Sequence, residues 1–151
     1  MTTVHASAVL VGTRAVLIRG PSGSGKSRLA LELIESQRSA FLPFARLVGD
    51  DRVHLQATGG RLLVRSVDTL AGLIEVRGIG ILQLPYEPSA VVGLVVDLAA
   101  DAKRLPDAKE RRAILEGVSL TRLAVADGTK ALPVVLALLT SMPAEFAYPV
   151  T

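Results

Sequence analysis

The sequence has no cysteine, which removes disulfide frameworks and thiolate metal sites. Aromatic residues make up 3% of it and tryptophan is absent, so a core has to be assembled from Val, Leu, Ile and Ala; half of the residues are apolar, which is enough for one. Apolar runs such as Val91 to Leu98, interrupted by Gly93 and Asp97, fall short of the roughly 20 residues that a bilayer span needs. No basic leader opens the chain, and Ala6 to Val11 is cut short by Gly12, Thr13 and Arg14, unlike a signal peptide. A soluble, cytoplasmic protein is expected, with no membrane partner. An excess of one charge is also missing: the net charge is +3 and the basic residues are dispersed except from Lys103 to Arg112, so nucleic acid is not required as a partner. There is no repeat, low-complexity tract or linker, and 151 residues fit a single domain over 1–151.

What is present begins with apolar runs of strand length separated by glycine-containing breaks. Ala8 to Val11 and Ala15 to Ile18 flank a Gly12-Thr13 turn, and Leu29, Ala30, Leu33 and Ile34 recur at helical spacing, which predicts a helix from Gly25 to about Gln37. Leu47 to Asp51 reads as a short strand ending in acids, and Val53 to Ala57 with Arg61 to Arg65 bracket Gly59-Gly60 as a hairpin. Further strands are expected at Gly72 to Arg77 and Val91 to Asp97. Asp107 to Leu115 reads as a charged, solvent-facing helix, and Leu132 to Ser141 as a nearly all-apolar and hence buried one. The sum is an α/β domain, a mixed β-sheet with packed helices.

Residues Gly20-Pro21-Ser22-Gly23-Ser24-Gly25-Lys26-Ser27 fill every fixed position of the pattern GxxxxGK[ST]. The loop follows Val16-Leu17-Ile18 and opens an amphipathic helix, the context in which such a loop cradles phosphate with main-chain N–H groups and the helix dipole. ATP with Mg²⁺ is the expected ligand, Lys26 reaching the β and γ phosphates and the Ser27 hydroxyl ligating the metal. A Gly/Ser-rich surface turn is the plainer alternative, and it leaves Lys26 and both flanks unexplained. The loop alone does not separate kinases from hydrolases or switches.

Asp50-Asp51 closes the strand after this helix, which in such a sheet sets carboxylates beside the phosphates. Neighbouring side chains on a strand point opposite ways, so one acid is free to hold metal while the other accepts a proton from an attacking hydroxyl. A polar turn into the next strand is the competing reading.

Four segments together resemble the HPr kinase/phosphorylases, which phosphorylate a serine of the phosphocarrier protein HPr and resemble phosphoenolpyruvate carboxykinases in fold. They are His5 ahead of the loop, the loop itself, Val48 to Val53, and Ile74-Glu75-Val76-Arg77-Gly78-Ile79-Gly80-Ile81. The likeness covers most of residues 4 to 100 and implies a P-loop kinase domain of the carboxykinase-like type. Asp50 then matches the general base of the kinase direction, which is the general acid of phosphorolysis. Asp51, Glu75 and Ser27 would surround the metal, His5 and Arg77 would lie near the phosphates, and Arg104 looks like an arginine that approaches the target serine from a flexible loop. The family's hexameric assembly is carried with it.

The chain departs from the long family members. It starts almost at the catalytic strand, like the short form of alphaproteobacteria, and Arg28 stands where a glutamate is usual. Ala126-Asp127-Gly128-Thr129-Lys130 occupies the place of a Pro-Gly-Arg-Asn turn linked to phosphorolysis, which puts that direction in doubt. His5 also reads as a hydrogen-bonded residue at a strand start, Glu75 with Arg77 as a surface pair, and Lys103 to Arg112 as a solvated face with its lead-in. Two other functions compete, a small-molecule kinase with Lys103 to Arg112 as its lid and a regulatory module that senses ATP without transferring phosphate.

Overall fold

The computed structural model describes residues 1–141. Along them run β1 (Thr2–Val4), β2 (Ser7–Val11), β3 (Arg14–Arg19), α1 (Lys26–Arg38), β4 (Ala45–Gly49), β5 (Val53–Thr58), β6 (Arg61–Ser66), β7 (Leu73–Val76), β8 (Gly80–Gln83), β9 (Ser89–Leu98), β10 (Arg112–Leu115), β11 (Val118–Val125) and α2 (Ala131–Thr140). Nine strands join in one mixed sheet, ordered β1-β5-β6-β9-β3-β2-β4, with β11 on β9 and β10 on β11; β7 and β8 form a separate ribbon. β3 and β9 pair in parallel at its centre, from Ala15 against Val92 to Arg19 against Asp97, and both end at the phosphate loop's side of the sheet.

The sequence of β3 shows why it is central. Successive side chains of a strand face opposite ways, and here Val16 and Ile18 enter one core while Ala15 and Leu17 enter another. A strand buried on both faces reads as an unbroken apolar run. The first core receives Leu29 and Leu33 of α1, Val135 and Leu138 of α2, and Ile74 of β7. The second takes in no helix among the described residues; Leu55, Leu62 and Val64 of the β5–β6 hairpin, with Leu120 of β11, meet Ala8, Leu17 and Val95 as the sheet curls on itself. Both helices therefore lie on the side that also carries the loop.

Two expectations need correction. Residues 107–115 do not form a helix: Asp107 and Glu110 exchange backbone-to-carboxylate hydrogen bonds of 3.0 and 2.9 Å around one turn, and the chain then enters β10. The Glu116-Gly117 turn, with φ of 50° and 77°, lets β10 pair along β11, so strand pairing overrides the local helical signal. The helix from 132 exists as α2, yet only Val135 and Leu138 are buried in it and Val134 is 38% exposed. One face meets the core; apolar composition alone does not give all-round burial.

Candidate active site

The phosphate loop leaves β3 at Gly20 and enters α1 at Lys26. A Cβ added at Gly20 would lie 2.5 Å from Ser24 Oγ, so the loop closes on itself only without a side chain there. Gly25, the residue that caps the helix, has φ 99°, a conformation that glycine adopts without strain. The first turn of α1 contains no acid of its own, so the positive end of its dipole faces the loop without a carboxylate from within the helix. Lys26 is 7% exposed and its Nζ donates to the carbonyls of Gly20 and Pro21, at 2.8 and 3.1 Å, folding the ammonium over the loop. Ser24 Oγ is buried with no hydrogen-bond partner among the described residues. A buried donor left unspent within the loop suits a phosphate oxygen.

Asp50 and Asp51 follow β4 in a tight turn, Arg52 N donating to Asp50 O at 2.7 Å, with Asp51 at φ 66°. This twist separates the two side chains. Asp50 is 5% exposed and accepts from Ser27 Oγ at 2.8 and 3.0 Å and from Ser7 Oγ at 2.6 Å. Asp51 points outward to His5 Nε2 at 2.8 Å, and Ala6 N bonds Asp51 O at 3.1 Å. Gly49 makes the turn possible, since a Cβ there would stand 2.6 Å from Val53 Cγ1.

Two cavities flank the loop. The larger, about 610 Å³, is lined by His5, Lys26, Ser27, Asp51, Glu75 and Arg77 together with Ser22, Gly23 and Gly25 of the loop, which brings together nine of the candidate site residues read from the sequence. Asp50 lies just behind its Ser27 wall. The β7–β8 ribbon supplies Glu75 and, at its turn, Arg77. A second cavity of about 490 Å³ lies between Gly23 to Gly25, Arg28 and the 126–130 turn. Arg104 is exposed on the 99–111 segment and lines neither cavity.

Among the described residues no group of three or more His, Asp or Glu stands ready to hold a metal by itself. The donors around Ser27 are hydroxyl and carboxylate oxygens, which fits Mg²⁺, an ion that completes its shell with water and substrate phosphates. One ion-pair cluster escaped the sequence reading. Asp97 accepts from Arg19 Nε and Nη2 at 2.7 and 2.8 Å and from Arg122 Nε at 2.6 Å, tying the last residue of β3 to β9 and β11. Burial pushes its carboxyl up, but the hydrogen bonds from Arg19 and Arg122, with their charges, outweigh this and hold it below the usual carboxylate range. Ser7 was missed as well. A polar residue within an apolar strand was the available signal, but its partner lies 43 residues away.

The family model for the HPr Serine kinase C-terminal domain matches residues 1–135. Among curated relatives, the HPr kinase/phosphorylase of an Exiguobacterium species is 44% identical over 85 residues, covering 56% of this chain and 25% of that protein. That of Clostridium tetani is 38% identical over 104 residues, covering 64% and 32%. The chain thus spans a quarter to a third of the length of these relatives. A solved structure, the Hpr(Ser) kinase/phosphatase from Coxiella burnetii, superposes with a TM-score of 0.73 at 26% identity, over 93% of this chain and 94% of the other.

Proposed function

The chain belongs to the HPr Serine kinase C-terminal domain family, and from that premise we propose that residues 1–151 act as one catalytic unit that transfers the γ-phosphoryl group of ATP to a serine of HPr. The observation that carries this reading is the position of Asp50, whose carboxylate stands 2.8 Å behind the Ser27 hydroxyl at the mouth of a helix with no acid in its first turn. The smaller cavity, beside Arg28 and the 126–130 turn, takes the nucleoside end of ATP. The larger one takes the γ-phosphate and the acceptor.

In this reading the serine oxygen of the acceptor forms a bond to the γ-phosphorus while the bond to the β–γ bridging oxygen breaks. The serine proton passes to Asp50, and ADP leaves. Lys26, now held by two carbonyls, turns to the phosphates as a mobile cation, and Arg77 and His5 balance charge across the cavity. Ser27, with Asp51 and Glu75 across the cavity, would hold Mg²⁺, which would supply electrostatic stabilisation of the phosphate oxygens. Arg104 approaches the acceptor only once the 99–111 segment moves. The phosphorolytic direction, named in the relatives, takes second place here because a Gly-Thr-Lys turn borders the nucleotide side. A homo-hexamer in the cytoplasm, by family resemblance, completes the proposal. Among the described residues no helix is long and apolar enough to cross a membrane.

One observation favours a second division of labour. Asp51, with 59% of its side chain exposed, faces the cavity on His5, so it is placed to take the proton while Asp50 fixes the metal through Ser27. Either way the test of the function is the same. Purified protein is given γ-labelled ATP, Mg²⁺ and HPr with its regulatory serine intact or replaced by alanine. Label is expected on the intact version alone; label on both, or on neither, overturns the assignment.

A further inference from the structure

Ser7 is fully buried, carries a nucleophilic hydroxyl and takes no part in the chemistry above. Its surroundings give it a use. The segment 5–7 meets the acidic turn at three successive points: His5 Nε2 with Asp51 Oδ1 at 2.8 Å, Ala6 N to Asp51 O at 3.1 Å, and Ser7 Oγ to Asp50 Oδ1 at 2.6 Å. One strand entrance therefore sorts the two acids, one outward and one inward. The sheet lends this turn little help, because the β2–β4 ladder changes register between Ala8 and Val9, opposite Gly49 and Leu47.

We infer that Ser7 is a positioning residue that fixes the carboxylate of Asp50 against the phosphate loop. The inference rests on the reading that Asp50 acts in phosphoryl transfer. Ser27 bridges both oxygens of Asp50, at 2.8 and 3.0 Å, and by itself leaves the carboxylate free to rock about that hydroxyl. The bond from Ser7 reaches Oδ1 alone and from a different element, so it selects one rotation and leaves Oδ2 as the oxygen with spare acceptor capacity. Buried at 0% exposure on β2, between β3 and β4, Ser7 cannot itself touch a substrate, and it donates at a site where water does not compete. A hydrogen bond to a charged group in such a place is among the stronger ones. A displacement of a reacting group by a fraction of an ångström is costly in rate, which is why supporting side chains matter.

The test is a cycle of Ser7→Ala and Asp50→Asn, singly and together, reading kcat for transfer to HPr and, separately, the Kd of the Mg²⁺–ATP complex. Ser7→Ala is expected to lower kcat about 10-fold, the usual worth of one charge-assisted hydrogen bond, with Kd within about 2-fold of the parent. In the Asp50→Asn background the same change is expected to alter kcat by less than about 2-fold, because the group it acts through is gone. Ser7→Thr, which keeps the hydroxyl, is expected to restore most of the rate, with thermal melting of each variant recorded to separate folding from function. Equal losses from Ser7→Ala in both backgrounds, or a fall in kcat and ATP affinity together, overturn the inference. An Asp50→Asn protein as active as the parent defeats instead the reading on which it rests.

Discussion

Asp50 and Asp51 are consecutive carboxylates with opposite surroundings, one enclosed by two serine hydroxyls and the other resting on an exposed imidazole. At this scale the parts that the structure brings together had local signals: a lysine and a serine closing a glycine loop, and a pair of acids just after the next strand, which the structure sets in a turn rather than on the strand itself. Their partners did not. Ser7 and the triad Arg19–Asp97–Arg122 join residues 25 to 78 positions apart, and no local pattern encodes such a meeting. Asp97 carries a prediction of its own. Its folded carboxyl ionises at a lower pH than in an unfolded chain, where the value is near 3.9, so its stabilisation is complete above that value and is lost as pH falls through the lower folded one. Asp97→Asn is expected to cost about 2 kcal/mol at pH 7 and to flatten the decline in stability below about pH 4. Urea unfolding at pH 7 and between about pH 5 and 3 measures both; an unaltered slope in the variant refutes the role given to Asp97.

At the scale of elements, strands with strict burial on two faces and the helix after the loop were readable because their periodicity is strong, as β3 and α1 show. The segment 107–115 was not. Its Asp107-x-x-Glu110 start has the form of a helix cap, but the Glu116-Gly117 turn six residues after Glu110 commits the chain to an antiparallel pair. The apolar face of α2 likewise says that part of the helix is buried, not which part. The turn after β4 depends on a contact rather than on conformational freedom. Gly49→Ala places a methyl against Val53 Cγ1, a stiff branched side chain, and overpacking of this kind costs about 1 to 3 kcal/mol. The neighbouring carboxylate shifts with it. A lower melting temperature together with slower transfer is expected in thermal and kinetic assays, and a variant that melts and turns over like the parent contradicts the geometry.

For the whole molecule, the arrangement is a curled sheet that presents one loop between two cavities, with both helices on the same side. The fold class and the family follow from the sequence because the loop, the acids and the Glu75 to Ile81 ribbon are local in it. The curl that joins β5 and β6 to the second core is a long-range consequence of twist and pairing, and had to be seen. The central claim is that phosphate holding and proton removal are separate tasks, the first given to the loop and the second to Asp50. Asp50→Asn tests it most directly when Mg²⁺–ATP affinity and the rate of transfer to HPr are measured on the same preparation, with Asp51→Asn beside it. The account predicts that Asp50→Asn leaves affinity intact while transfer falls by about 10² to 10⁴. Affinity and transfer falling together in Asp50→Asn, with Asp51→Asn losing transfer alone, would contradict it.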